Sequence, residues 1–249
     1  LHHHVGLPRL TEEGLGKEVY RKPPWVIYRR DRGWIYQIIS PDTLQDNGTL
    51  AAVFNDDHST GDIYYPDAAP FRSGNLGSLS SMITDQIFLA PVLAERDACI
   101  LHSAAAILNG GGLLFVGHSE AGKSTTVKML QDRAEILCDD RNIVRRWPDG
   151  FRLHGTWSHG EVPLVSAAEA PLRAILFLKK AKENRLIPVL DRKLVFGRLW
   201  ACLIRSFASK DWREKTASLI EKIAFEVPCY DMAFDTSGRV AGLLDDLTR

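Results

Sequence analysis

Residues 117–124 read Gly-His-Ser-Glu-Ala-Gly-Lys-Ser, a complete match to G-x-x-x-x-G-K-[ST]. Glycines at both ends of the run let the main chain wrap closely. The N–H groups of Gly117, His118, Ser119, Glu120, Ala121, Gly122, Lys123, Ser124 and Thr125 are then free to converge on phosphate oxygens. A helix pattern follows directly, adding its positive N-terminal end to the same point. Lys123 supplies a charge for β- and γ-phosphates, and the Ser124 hydroxyl is of the type that ligates Mg²⁺. Thr125 carries no separate role. His118 and Glu120 fill variable positions of the pattern and are assigned no chemistry beyond their amides. The motif lies between an apolar strand at 113–116 and the helix, which is the context its chemistry requires.

The next apolar segment ends Ile-Leu-Cys-Asp-Asp, so Asp139 and Asp140 fall at a strand's carboxyl edge after a single short helix. Adjacent carboxylates there can divide the work, one near Mg²⁺ and one accepting a proton from an attacking hydroxyl or water. A solvated loop pair is the plain alternative. His102 lies on the strand that turns back into the phosphate loop, and its same-face neighbours Ile100, Ala104 and Ala106 are apolar. A buried imidazole needs a polar partner. From pattern alone, a satisfied core histidine is the simplest reading. The short return to the aspartates, with no N-K-x-D and no L-S-G-G-Q run, disfavours switch GTPases, transporter ATPases and motor-like enzymes.

Together, His102, the loop 117–124 and the Asp139-Asp140 pair resemble the catalytic half of HPr kinase/phosphorylase, within the phosphoenolpyruvate-carboxykinase-like P-loop proteins. The likeness is specific over residues 102–142, with Cys-Asp-Asp standing where that family has Ala-Asp-Asp. It implies a mixed sheet with helices packed on it. It also implies ATP and Mg²⁺ as cofactors, with His102 and an aspartate moving the acceptor's proton. Asp140 matches the family's second aspartate and is the expected base, with Asp139 nearer Mg²⁺; the two are exchangeable. The family's Mg²⁺-binding glutamate falls at Arg152 here, and Glu161 in the run Gly-Thr-Trp-Ser-His-Gly-Glu is a replacement, an exposed loop acid being the equal alternative. The family's N-terminal regulatory domain has no counterpart. The chain is more similar to shortened relatives associated with peptide-modification genes, which implies a serine of a peptide or protein acceptor. A small-molecule kinase on the same scaffold, or a nucleotide-binding regulatory module, are the rival readings.

Turn chemistry and periodicity outline the elements that must hold these residues. Two hairpins are expected between 25 and 65, around Asp31-Arg32-Gly33 and around 56–61, then a Gly/Ser-rich loop at 73–81. A helix beginning at Thr84-Asp85 carries Ile87, Phe88, Val92 and Leu93. Residues 98–108 read as a buried strand, 136–138 as the strand before the aspartates, and Asp149-Gly150 as a hairpin turn. Two strands, 174–178 and 185–190, bracket a polar tip. The final third is mostly helical, with Asp211 and Glu214 at capping-box spacing, then a last strand at 230–234. Arg141, Arg145, Arg146 and Arg173 flank the expected site as phosphate clamps or solvated strand edges.

The fold class expected is α/β, a single domain over 7–249. It comprises a β-rich lead (7–97), a nucleotide-binding core (98–190) and a helical C-terminal part (191–249). Lys+Arg and Asp+Glu balance at 31 each, which argues against recruitment by nucleic acid. No apolar run is long enough to span a bilayer, so no membrane partner is expected. Residues 1–4, Leu-His-His-His, read as a tag remnant. The four cysteines are scattered in apolar runs, as small hydrophobes of a reduced, cytoplasmic protein. Nothing in the sequence sets an oligomeric state.

Overall fold

The structure is a computed structural model that describes residues 1–6, 12–38, 50–73, 88–206 and 210–248. Its contacts cluster as two compact units, Leu1–Val92 with Arg205–Trp212, and Leu93–Ile204 with Arg213–Arg249. This differs from the single continuous domain expected. The β-rich lead separates because it builds a sheet and an apolar core of its own.

In the first unit the strands are β1 (His2–Val5), β2 (Lys17–Lys22), β3 (Trp25–Arg30), β4 (Gly33–Ile38), β5 (Leu50–Phe54) and β6 (Gly61–Tyr65), with short helices α1 (Glu12–Leu15) and α2 (Ala69–Ser73). They form one sheet in the order β1-β6-β5-β4-β3-β2. Both expected hairpins are present, β3–β4 and β5–β6, each antiparallel. Alternation puts Trp25, Ile27, Tyr36, Ala52, Phe54, Ile63 and Tyr65 into one cluster. The N-terminal residues are part of this sheet rather than an appendage, since β1 pairs in parallel with β6. The Gly/Ser-rich loop from 74 on and the start of the helix at Thr84 lie outside the described residues. The described part of that segment begins at residue 88 and includes helix α3 (Ala90–Ala94).

The second unit holds β7 (Ala98–Leu108), β8 (Gly111–Val116), α4 (Lys123–Leu130), β9 (Glu135–Cys138), β10 (Arg141–Trp147), β11 (Gly150–His154), β12 (Glu169–Lys180) and β13 (Arg185–Pro188). After these come α5 (Arg192–Ala201), α6 (Lys210–Glu226), which counts to this unit from Arg213 on, β14 (Cys229–Phe234) and α7 (Val240–Leu244). Its sheet runs β11-β10-β7-β8-β12-β14-β13, with β9 added on β7. Because β11 also pairs with β12, the strands β11, β10, β7, β8 and β12 make a closed circuit at that end. The β12–β8 and β12–β14 pairs are parallel, the others antiparallel.

The sequence of β12 changes character where its neighbours change. Its first half alternates exposed and buried residues, whereas Ala174, Ile175, Leu176 and Phe177 are all buried between β8 and β14. The two strands expected around the polar tip are therefore not neighbours. Strand β14 lies between them, contributing Met232 and Phe234 to the core.

That core also takes Ala104, Ala106 and Leu108 from β7, Leu113 and Phe115 from β8, and Val127 and Leu130 from α4. Burying each of the larger side chains contributes about 1.5–3 kcal/mol. Phe115→Ala would open a cavity costing about 3–5 kcal/mol. Packing thus fixes β7, β8 and α4 together, and with them the loop between β8 and α4. Helix α5 is capped by Asp191, whose carboxylate accepts the N–H groups of Lys193 and Leu194. Helix α6 begins at Lys210, so Asp211 lies within its first turn rather than at the expected cap. Among the described residues no helix is long and apolar enough to cross a membrane.

Candidate active site

The loop 117–122 leaves the carboxyl end of β8 and turns straight into α4. Gly122 has φ 105° at the helix start, and a Cβ there would stand 2.6 Å from the Phe234 ring. A Cβ on Gly117 would stand 2.5 Å from that of Ala121. Both motif glycines are therefore required by close approach, not only by flexibility. Glu120 also takes a positive φ of 67°, and the Ala121 N–H donates to the His118 carbonyl at 3.2 Å. The Thr126 hydroxyl and N–H both donate to the Gly122 carbonyl at 2.9 Å, closing the first helical turn.

Lys123 is only 8 % exposed, and its ammonium donates to the carbonyls of Gly117 (2.8 Å) and His118 (3.1 Å). Burial lowers its pKa, while Cys202, Asp140 and Asp139, in that order, pull it back up. His118, Ser119 and Glu120 are exposed; Ser124 and Thr125 are half-buried on the first turn of α4.

Register brings His102 to this loop. Ser103 pairs with Val116, so His102 stands one residue beyond, level with Gly117. There the main chain of β7 is shared: the His102 N–H donates to the Cys202 carbonyl (2.7 Å), and the Ser103 N–H to the Asp140 carbonyl (2.9 Å). The phosphate-type loop, the histidine strand and the aspartate strand therefore meet at one sheet margin.

The two aspartates face different partners. Asp139 is 2 % exposed, and its oxygens accept the N–H groups of Gly160 (2.5 Å) and Val162 (3.1 Å). It anchors the loop that follows β11. Asp140 is a quarter exposed. Its Oδ1 lies 3.6 Å from His102 Nε2, and its Oδ2 accepts the Ser158 hydroxyl at 2.8 Å and faces Arg141 Nε at 3.2 Å. At 3.6 Å the His102 contact is longer than a hydrogen bond. His102 has its pKa lowered, first by burial and then by the Lys123 ammonium; the Asp140 charge opposes both without prevailing. Its imidazole is therefore neutral at neutral pH and able to take a proton.

Donor chemistry fits a divalent cation held largely by a bound polyphosphate. Ser124 offers a hydroxyl and Asp140 a partly exposed carboxylate, whereas both Asp139 oxygens already serve main-chain N–H groups. Among the described residues no group of three or more His, Cys, Asp or Glu could hold a metal by itself, and Mg²⁺ commonly relies on one or two carboxylates plus substrate phosphates. Glu161 is 75 % exposed and turns to Lys128 at 3.5 Å on α4. Arg152 pairs with Glu169 (2.8 Å) and Asp149 (3.0 Å).

Of the flanking arginines, Arg141 meets Asp140, Arg146 pairs with Glu226 at 2.5 Å, and Arg145 lies over the Trp147 ring.

Two residues at the site escape sequence reasoning. Cys202, at the end of α5, lies near Lys123 and the Gly117 main chain, and burial raises the pKa of its thiol. Ser158 reaches Asp140 from the loop after β11. Cys202 stands in no local pattern that points to the loop, whereas Ser158 lies within the 155–161 run, where nothing marked its hydroxyl for Asp140.

A family model described as SynChlorMet cassette protein ScmC matches residues 77–248. No curated protein matches the chain. Among solved structures the chain is similar to the Hpr(Ser) kinase/phosphatase from Coxiella burnetii. That likeness has a TM-score of 0.36 and 8 % identity, over 60 % of this chain and 88 % of that one.

Proposed function

The chain belongs to the family described as SynChlorMet cassette protein ScmC, and for it we propose an ATP- and Mg²⁺-dependent phosphotransferase that phosphorylates a hydroxyl, the serine of a peptide or protein. The observation that carries this reading is the His102–Asp140 pair beside the Lys123 loop. A carboxylate poised to accept a proton, next to a loop shaped for phosphates, is what moving a phosphoryl group to a hydroxyl requires.

In this reading the amides of residues 120–125 and the Lys123 ammonium surround the β- and γ-phosphates and offset the charge that builds there. Mg²⁺, held by Ser124 and the phosphates, would neutralise phosphate charge. Asp140 accepts the acceptor hydroxyl's proton. His102, neutral and half-buried, fixes the side of Asp140 that faces the loop and can share that proton. Arg141 holds the other oxygen in place. Asp139 works one step back, by tying down the loop at 160–162 that borders the site.

The test is transfer of labelled γ-phosphate from ATP, with Mg²⁺, to serine-containing peptides encoded beside this gene. Label in a serine ester, lost with chelator and lost in Asp140→Asn, is the expected result. Tight nucleotide binding with no transfer to any acceptor would instead identify a nucleotide-binding module.

A further inference from the structure

Asp140 already holds a serine hydroxyl. Ser158 Oγ donates to Asp140 Oδ2 at 2.8 Å, a well-formed O–H···O hydrogen bond. This is the position that an acceptor serine must take if Asp140 is the base.

Ser158 is kept there from both sides. Its N–H donates to the Thr156 hydroxyl at 3.2 Å, and buried Thr156 donates in turn to the Arg141 carbonyl at 2.6 Å. Two residues on, the Gly160 N–H is fixed to Asp139. The hydroxyl is thus presented by a short, tied segment, half-buried rather than swinging in solvent. The other oxygen of Asp140 faces His102, and Lys123 is near enough for its charge to act on both.

We propose that Ser158 is a phosphorylation site of this protein's own making, modified in cis by a nucleoside triphosphate held on the 117–124 loop. The inference rests on the phosphotransferase reading above. In the step, Ser158 Oγ forms a bond to the γ-phosphorus as the bond from that phosphorus to the β–γ bridging oxygen breaks. The hydroxyl proton passes to Asp140, and the nucleoside diphosphate leaves with the bridging oxygen. The products are phosphoserine, diphosphate nucleotide and one proton, so atoms and charge balance without any further reagent. An incoming acceptor serine would have to displace Ser158 from Asp140, which makes this loop a competitor for external substrate as well.

The whole protein is incubated with γ-labelled ATP and Mg²⁺ without other acceptor, digested, and the labelled residue mapped by mass spectrometry. Released ADP is followed in the same samples. Label on Ser158 is expected, with a fractional rate that does not change on dilution, as an intramolecular step requires. It should be lost in Ser158→Ala, retained in Ser158→Thr, which keeps a hydroxyl there, and lowered about a hundredfold in Asp140→Asn. The wild-type map alone decides the matter if Ser158→Ala folds poorly. Should an added serine peptide become labelled while Ser158 stays unmodified, self-transfer is overturned and the phosphotransferase reading stands; ADP release with no labelled residue or peptide overturns both. Label at a different residue overturns it equally. No ADP and no transfer to any acceptor removes both.

Discussion

His58, in the turn between β5 and β6 of the first unit, and His102, within β7 of the second, both have their pKa lowered by burial. Their surroundings differ from that point on. His58 sits in the β5–β6 turn with φ 57°, 4 % exposed, its Nε2 2.7 Å from the Tyr36 hydroxyl. The rings of Trp34, Tyr36 and Phe54 enclose it at 5.3–5.8 Å between centroids. Among the described residues its side chain hydrogen-bonds to a phenol that burial keeps protonated, and the pair cements the turn. His102 is half-exposed, and the charges around it are a carboxylate and an ammonium at the lip of the Gly117–Lys123 loop. The residue type is the same in both places. What separates packing from chemistry is whether the partners are themselves able to exchange a proton or hold an anion.

Removing the charge that defines the second region should give the largest effect. Lys123→Ala should cut phosphoryl transfer about a thousandfold or more, with the fold retained by circular dichroism. Full transfer in the folded variant would erase the distinction between the two regions.

Acidification should strike His58 instead. Its folded pKa is lowered to about 4 from 6.5, so the unfolded chain binds the proton first. Stability from this group is complete above pH 6.5 and is lost as pH falls toward 4, by on the order of 3 kcal/mol. Thermal melts of wild type and His58→Gln across that window should converge at the acid end. Parallel curves would mean that His58 is not buried in its neutral form.

Alanine at each histidine sharpens the contrast. His58→Ala leaves the Tyr36 hydroxyl without its partner and should cost about 1–3 kcal/mol, leaving turnover per folded molecule unchanged. His102→Ala should lower turnover about tenfold or more, with nucleotide affinity and melting temperature close to wild type. Reversed outcomes would exchange the two assignments.

The smallest effect separates the aspartates. Asp139→Asn keeps one acceptor oxygen for two N–H groups, and should cost about 1 kcal/mol of stability through the 160–162 loop. A shifted Mg²⁺ requirement with no loss of stability would return Asp139 to the metal.

Much of this was legible in the residues themselves. Asp31-Arg32-Gly33 and Asp149-Gly150 mark hairpins because turn chemistry is local, and alternation on either side fixes which faces are buried. The phosphate-type loop is legible for the same reason, its glycines being demanded by contacts a few residues away and by Phe234. Parallel pairing left no such local trace. Nothing in residues 174–190 announces that β14 will come between β12 and β13. Ser158 and Cys202 reach the site from the loop after β11 and the end of α5, so only the closed circuit of strands and the end of α5 bring them in. The polyhistidine start reads as foreign by composition, yet its alternating side chains pair as a strand, with His4 2.8 Å from Asp62.

The central claim, that Asp140 is a proton acceptor beside a phosphate loop, is tested most directly by single-turnover transfer in Asp140→Asn at saturating ATP and Mg²⁺. The substitution keeps the size of the side chain and its contacts with Ser158 and Arg141 within reach, but removes the basic oxygen. Nucleotide affinity equal to wild type with transfer slowed about a hundredfold or more is the result this account predicts. Transfer at the wild-type rate, with the same bound nucleotide, would contradict it.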